Sequence, residues 1–526
     1  MTTTQKLGPW LGINNRLPDF ALHVDKKGDY LSLAENIDVD NSGNLLRRES
    51  ESLLQAMTAP HSLLMISETQ GYLVRAGMLY LATLSPTYSE TLAKSLTSNE
   101  RMTWVQAGED IYFSNGTDSG RITGGAFFPL GLPTPAAPGT GTTTGSFFPG
   151  AYQVSVSYWN AATGEEGGVS PSSSQVVSGG LVVTLPAAVV GATHVNVYVS
   201  TVNGSIPMLA GSYAVGTATA DFSAMPATLR EAPQRFEAPL PAGRLFMSGS
   251  KLCSAVGKLV YVGLPYRYGY YDVVAGYLEF PETVAVAIEN QMGTYVATTK
   301  KTHWFPGDLA DVQGVVSDPL PFGGVPGTEF RHPSTTSCGW FSDDGFIIAD
   351  TQGQVVSATA DVLDQDSPAE GVANVRVTDG YVRVYSCGYC LNLESNAVTE
   401  YLGYDFTSFA GDYGTKADGV YVLTGGPDIA WRYGLGKQNF GSEAIKYMPA
   451  IYLGCSSPEP LSVRIKTADG DDYDYEARSC SDTIKQHRVD PGLGLESNWF
   501  DLELFGKSDF TLASISFAPT ASTRRI

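Results

Sequence analysis

Leu33 to Glu49 reads LAENIDVDNSGNLLRRE, and it has two readings. In the first, apolar Ile37 and Val39 alternate with Asp38 and Asp40, the run Asn41-Ser42-Gly43-Asn44 turns the chain, and Leu45 to Arg48 leads back. That is strand, turn, strand. In the second, Asp38, Asp40, Ser42, Asn44 and Glu49 fall at the spacing of a calcium loop, with Gly43 at the sharp bend. A loop of that kind is normally flanked by helices, and here the flanking alternation has the period of a strand. Leu46 also stands where a polar or water-linked ligand is usual. The hairpin is therefore the preferred reading, with no metal and no cofactor expected, and the calcium ligand set is kept as the competing one.

Outward from this stretch, the same pattern recurs. His61 to Leu81, Met102 to Phe113, Ala255 to Val262, Val284 to Thr298, Gly339 to Ser357, Val375 to Tyr385 and Gly419 to Arg432 each read as an apolar run, a Gly- or Asp-containing turn, and a run with alternating aromatics. A hairpin that cannot bury both faces alone, repeated seven times, suggests the radial stacking of a β-propeller. Residues 133–146, PTPAAPGTGTTTGS, break the pattern as a linker. About 90 residues of short, regularly spaced strands follow, the pattern of a small sandwich.

The expected fold is thus all-β: a β-propeller with an inserted fibronectin-III-like β-sandwich and a C-terminal β-sandwich. The expected divisions are 1–132 (N-terminal segment and first blades), 133–232 (inserted sandwich), 233–439 (remaining blades) and 440–526 (C-terminal sandwich).

Bulk chemistry narrows the function. Net charge is −21 over 526 residues, which argues against sequence-specific nucleic-acid binding, since phosphate contacts need clustered Lys and Arg. No apolar run approaches the ~20 residues of a membrane helix, and Met1 to Lys6 lacks an apolar signal core, so synthesis in the cytoplasm is expected. The six cysteines are scattered, which suits reduced thiols better than a disulfide framework. Cys387 and Cys390 have half the spacing of a zinc site, but no second pair lies near them in sequence.

The six histidines join no nucleophile or zinc motif, so no catalytic residue is assigned and no enzymatic activity is expected. Glu165-Glu166 and the acidic run Asp469 to Asp474 read as solvated turns. Tyr266, Tyr268, Tyr270 and Tyr271 are candidates for partner contact, because Tyr joins a flat apolar face to a polar tip. Arg47 and Arg48 are candidates too, as cations in an acidic chain.

Several of these stretches resemble a family of tailed-bacteriophage virion proteins, the tail nozzle and tail-tip β-propeller proteins. The residues that carry the resemblance are Gly12-Ile13-Asn14-Asn15-Arg16 to Pro18, and Glu35 to Asp40 running into Gly43 and Leu46-Arg47-Arg48. Gly293 to Thr298 with His303-Trp304-Phe305-Pro306-Gly307, and Gly345-Phe346-Ile347, complete the set. The resemblance implies a structural subunit of a phage tail, located in the virion. It would assemble as a homo-oligomeric ring for DNA passage and attach other tail proteins (adaptor, fibre or spike). The alternative is a receptor- or glycan-binding tail protein. A polysaccharide-cleaving tail enzyme has the least support.

Overall fold

A computed structural model describes residues 5–23, 27–227, 230–232, 236–309, 320–378, 380–492 and 494–521. Met1 to Thr4, part of the amino terminus read above for a signal core, lie outside the described residues, as does the expected boundary at 233. The fold is all-β, and its repeated element is a small antiparallel sheet of the propeller-blade kind. Among the described residues no helix is long and apolar enough to cross a membrane. The chain forms two compact units, residues 1–95, 285–304 and 316–526 in one, and residues 96–284 and 305–315 in the other.

The first unit carries most of the blade-like sheets. His61–Met65, Gln70–Arg75, Met78–Thr83 and Ser89–Ser95 run up and down in sequence order. The next is formed by residues 285–290, 293–298 and 302–304 of three consecutive strands, and Phe330–Arg331, Cys338–Ser342, Gly345–Ala349 and Val355–Ser357 form another. Further sheets are built on Ala373–Thr378 to Val398–Glu400 and on Ser408–Ala410 to Gly419–Gly425.

Successive side chains of a strand point to opposite faces, and these sheets bury both. In Cys338–Ser342, Trp340 packs with Val286, Ile288 and Tyr295 of the preceding sheet, while Phe341 packs with Val384, Leu391 and Val398 of the following one. The central strands therefore read as nearly continuous apolar runs. The outermost strand beside Gly419–Gly425 is Glu51–Ala56, contributed from far earlier in the chain.

The same unit holds a double sheet. One layer orders Ser481–Val489, Ile451–Ser457, Thr511–Phe517, Leu45–Arg47 and Ile37–Val39, with Gln5–Leu7 also on Thr511–Phe517. The other continues from Val398–Glu400 through Leu33–Glu35, Trp431–Gln438, Phe500–Gly506 and Ser462–Thr467 to Asp472–Glu476. Their common core joins Trp10, Ile37, Val39 and Leu45 to Leu453, Val463, Phe500 and Phe517.

The expected divisions at 1–132 and 440–526 are corrected by this pairing. The amino-terminal strands occupy positions in both C-terminal layers, because the later strands alone would leave apolar faces and sheet edges uncovered. Trp10, Ile37, Val39 and Leu45 are each at most 3% exposed, worth about 1.5–3 kcal/mol apiece on burial. Trp431 and Arg432, counted above in the seventh hairpin, also belong to this double sheet.

The second unit has two blade-like sheets and the inserted sandwich. Thr103–Ala107 to Ala126–Phe128 form one four-stranded sheet, and Glu237–Pro239 to Tyr277–Glu279 supply the strands of the other. Val105 and Tyr112 of the first pack on Leu245 and Leu252 of the second. The sandwich spans Thr140–Thr143 to Thr219–Phe222 in two sheets around Val154, Val156, Leu181, Val183, Val195 and Val197.

Candidate functional site

The chemistry of the opening stretch resolves at the junction of the double sheet with the last two sheets of the first unit. Ile37–Val39 and Leu45–Arg47 pair antiparallel, so the stretch is a hairpin. Asp40 shapes its turn: Oδ1 accepts from the Ser42 and Asn44 amides, each at 2.8 Å, and Oδ2 accepts from Asn44 Nδ2 at 2.8 Å. Gly43 has φ +76° and its carbonyl accepts from Trp10 N at 2.9 Å; a Cβ there would come within 2.5 Å of Pro9 Cβ. Glycine is required both for the backbone angle and for the close approach.

The five oxygens of the calcium reading do not converge. Asp38 is 3% exposed and accepts hydrogen bonds from Arg383 Nη1 and from the Tyr401 hydroxyl, away from the turn. Glu49 pairs with Arg376 at 3.3 Å. Among the described residues no group of three or more His, Cys, Asp or Glu is placed to hold a metal ion.

Arg47 and Arg48 are both engaged within the chain, which corrects the expectation that they face a neighbour. Arg47 pairs with Asp428 at 2.8 Å and Asp509 at 2.5 Å. Arg48, 2% exposed, donates to Asn36 Oδ1, to the Glu49 carbonyl and to Glu51 Oε2, each at 2.9 Å. Its guanidinium lies 5.1 Å from the Tyr401 ring centre and 4.8 Å from that of Tyr404. Glu51 is shared with Lys416. A chain of polar and charged groups thus runs from Asn36 through Arg48 and Glu51 to Lys416, tying the amino-terminal hairpin to strands nearly four hundred residues away.

Burial by itself pushes the Glu51 carboxyl up, but Arg48 and Lys416 outweigh it and hold the carboxyl below its ordinary value of 4.5. A depressed folded value contributes stability that is present above the ordinary value and is lost as pH falls through the folded one. Glu51→Gln is accordingly expected to lose stability near neutral pH, and the gap to the parent is expected to close as pH falls below the ordinary value of 4.5 and through the lower folded one. Denaturant unfolding at each pH reads this; a gap that stays constant over the range would contradict it.

The tyrosine run divides. Tyr266 is 83% exposed. Tyr268 packs edge-on against Tyr112 with ring centres 5.7 Å apart, and Tyr271 against Tyr261 at 5.1 Å. Tyr270 is buried, donating to Glu165 Oε1 and accepting from the Leu132 amide, both at 2.7 Å. Three of the four partner-contact candidates thus pack within the fold, Tyr268 and Tyr271 half-buried and Tyr270 buried, while Tyr266 is the exposed one of the four.

Glu165 and Glu166 are not a solvated turn. Glu166 is 3% exposed. Its Oε1 accepts from Ser157 Oγ at 2.6 Å, Asn196 Nδ2 at 2.9 Å and the Tyr198 hydroxyl, and its Oε2 from Arg230 at 2.7 Å. Arg267 binds the Glu166 carbonyl and pairs with Glu237 at 2.8 Å. A Cβ on Gly168 would lie 1.9 Å from the Glu237 carbonyl, so the sandwich touches the next sheet backbone to backbone. The sequence signal that was available is Ser157, Asn196 and Tyr198 on the non-apolar face of alternating strands, a polar layer in search of a partner.

None of the six cysteines is in a disulfide; Cys390 is buried and burial raises its thiol, while Cys480 is exposed. The acidic run at 469–474 is a hairpin in which Arg464 holds Asp474 at 2.8 and 2.9 Å.

No protein-family model matches the sequence, and no curated protein aligns with it. Among solved structures, a glycoside hydrolase family 43 arabinoxylan arabinofuranohydrolase from Bacillus subtilis aligns over 80% of this chain and 96% of its own at 8% identity, with a TM-score of 0.22. The WD40 β-propeller domain of Doa1 aligns over 66% and 95% at 10% identity, with a TM-score of 0.24. The N-terminal domain of Nup159 aligns over 75% and 95% at 10% identity, with a TM-score of 0.21. Likeness at this level says nothing about activity.

Proposed function

We propose that this chain is a structural, non-enzymatic subunit of a bacteriophage tail, a nozzle or tail-tip hub, assembled as a homo-oligomeric ring. Adaptor, fibre or spike proteins would attach to it, and DNA would pass through it. The observation that carries this reading is where the virion-like stretch falls. Glu35 to Asp40 and Arg47-Arg48 lie at the junction that binds the double sheet to the following strands, through Asn36, Asp38 and Arg48. These are framework positions, which suits a subunit whose work is to hold shape under load.

The charge balance supports the same reading. At −21 a channel wall would repel DNA phosphates and let the duplex slide without adhering. Ring closure would proceed through heterologous contacts. Native mass spectrometry and electron microscopy of the purified chain, alone and with neighbouring tail proteins, are expected to reveal a cyclic oligomer. A strictly monomeric mass under both conditions would set the proposal aside.

A further inference from the structure

Two successive sheets of the first unit leave a cavity of about 430 Å³ between their facing sides. That volume is within the range of small-molecule sites. Phe330, Ile348 and Val356 of the sheet that ends in Val355–Ser357 form one wall, and the turn from Leu393 to Asn396 in the next sheet forms the other. Phe330 is buried, whereas Thr335, Glu394 and Asn396 on the same lining are exposed, so the cavity has an apolar floor and a polar mouth. We infer that this cavity is a binding site for a primary alkylammonium group, with Glu394 as the carboxylate that takes the ammonium and Phe330, Ile348, Val356 and Leu393 as the wall along its methylene stem.

The charge at the mouth selects the head group. Glu394 is the one charged side chain on the lining. Its Oε2 accepts from Val382 N at 3.0 Å, and among the described residues no Lys, Arg or His pairs with it. The carboxylate is thus held in position with Oε1 left for a donor, and a charged donor binds it about twice as strongly as a neutral one. The arginines of the flanking strands are engaged elsewhere. Arg331 lies across from Cys338, whose side chain packs with Trp340 and Ile347 in the core on the opposite face of the sheet. Arg383 is bound to Asp38, Thr378 and Tyr401. His332 Nδ1 accepts from the Ser334 and Thr335 amides, both at 3.1 Å, so the ring proton lies on Nε2. An ammonium has three donors, and Thr335, Ser337 and Asn396 each add an oxygen acceptor to the lining.

The apolar wall selects the stem. Ile348 and Val356 are cross-strand partners and project from one face, and Phe330 and Ile348 share a core with Leu393. Packing stops short at the cavity, where Val356 is 64% exposed although apolar. A chain of methylenes lies along such a surface while its charged head stays at the wet end. An anionic ligand would meet Glu394, and a hydrated metal ion would gain nothing from the wall. The net charge of −21 draws cations toward the protein as a whole.

Two sources carry this chemistry, a free alkylamine and the lysine side chain of a partner protein. Neither depends on ring formation, so the test is separate from that of the proposed function. Full-length protein is titrated with hexylamine, propylamine, hexanol and an acetylated, amidated glycine-lysine-glycine peptide, and binding is read by saturation-transfer NMR and calorimetry. Hexylamine is expected to bind at least about tenfold more tightly than hexanol, for want of the ammonium, and than propylamine, for want of the stem. Its affinity is expected to fall as salt rises from about 50 to about 500 mM. Glu394→Gln keeps an oxygen for the Val382 amide and is expected to weaken hexylamine by at least about tenfold with the melting temperature unchanged. A peptide that binds more tightly than hexylamine assigns the site to a partner's lysine, and the reverse order assigns it to a free amine. The inference fails if hexylamine does not bind, if hexanol binds as well, or if Glu394→Gln binds hexylamine as the parent does.

Discussion

Asp38→Ala is expected to cost the first unit about 3–5 kcal/mol of stability, the range for breaking a buried ion pair by removing one member. The side chains of Asp38 and Arg383 are 3% and 8% exposed, so bulk water does not solvate the guanidinium left without its partner. Tyr401 loses its carboxylate acceptor at the same time; burial holds its phenol well above the ordinary value, so it remains a donor with only the weakly accepting Cys390 sulfur beside it. The loss is expected as an earlier denaturant midpoint in fluorescence from Trp10 and Trp431, which lie in the adjoining double-sheet core. Replacing both members, Asp38→Leu with Arg383→Met, is expected to recover most of it, because the Arg383 charge is then no longer buried alone. An Asp38→Ala variant within about 0.5 kcal/mol of the parent would show that the pair does not hold the junction.

The second large effect is expected at Glu166→Ala, at about 3 kcal/mol, localised to the second unit. Its origin differs. Arg230 is 43% exposed and can turn to water, so that ion pair contributes little. Ser157, Asn196 and Tyr198 are each at most 2% exposed and would each be left with an unsatisfied donor, at about 1–3 kcal/mol per group before relaxation. Hydrogen exchange is the appropriate readout. Amides of Gly150–Asn160 and His194–Ser200 are expected to lose protection, while those of Cys338–Ser342 in the first unit keep theirs. Equal loss in both units would show that Glu166 supports more than the sandwich.

How much of this could be read from the chain depends on the range of the interaction. The hairpins were legible because a strand's period of two and the turn residues between strands are local properties, expressed within about ten residues. The sandwich was legible for the same reason, but the linker read at 133–146 is corrected in part, because Thr140–Thr143 is a strand of the sandwich paired with Gly180–Thr184 and its Thr/Gly composition hid that pairing. The role of Asp38 was not. An acid between Ile37 and Val39 looks like a solvent-facing residue, and nothing within hundreds of positions announces Arg383 or Tyr401. Glu166 misled in the same way, since Glu-Glu-Gly-Gly has the composition of a hydrated turn whether or not a sheet lies over it.

The opening stretch separates the two kinds of information. Its alternation and its Asn-Ser-Gly-Asn turn specify a hairpin, and Asp40 and Gly43 build that turn with hydrogen bonds four residues long or shorter. Whether Asp38 and Glu49 bind a cation, and whether Arg47 and Arg48 reach a neighbour, was decided elsewhere. Strands from the far end of the chain brought Arg383, Arg376, Asp428, Asp509 and Lys416 to meet the hairpin. Backbone periodicity is a short-range property of a segment, whereas the partner of a buried charge is set by whatever the fold packs against it.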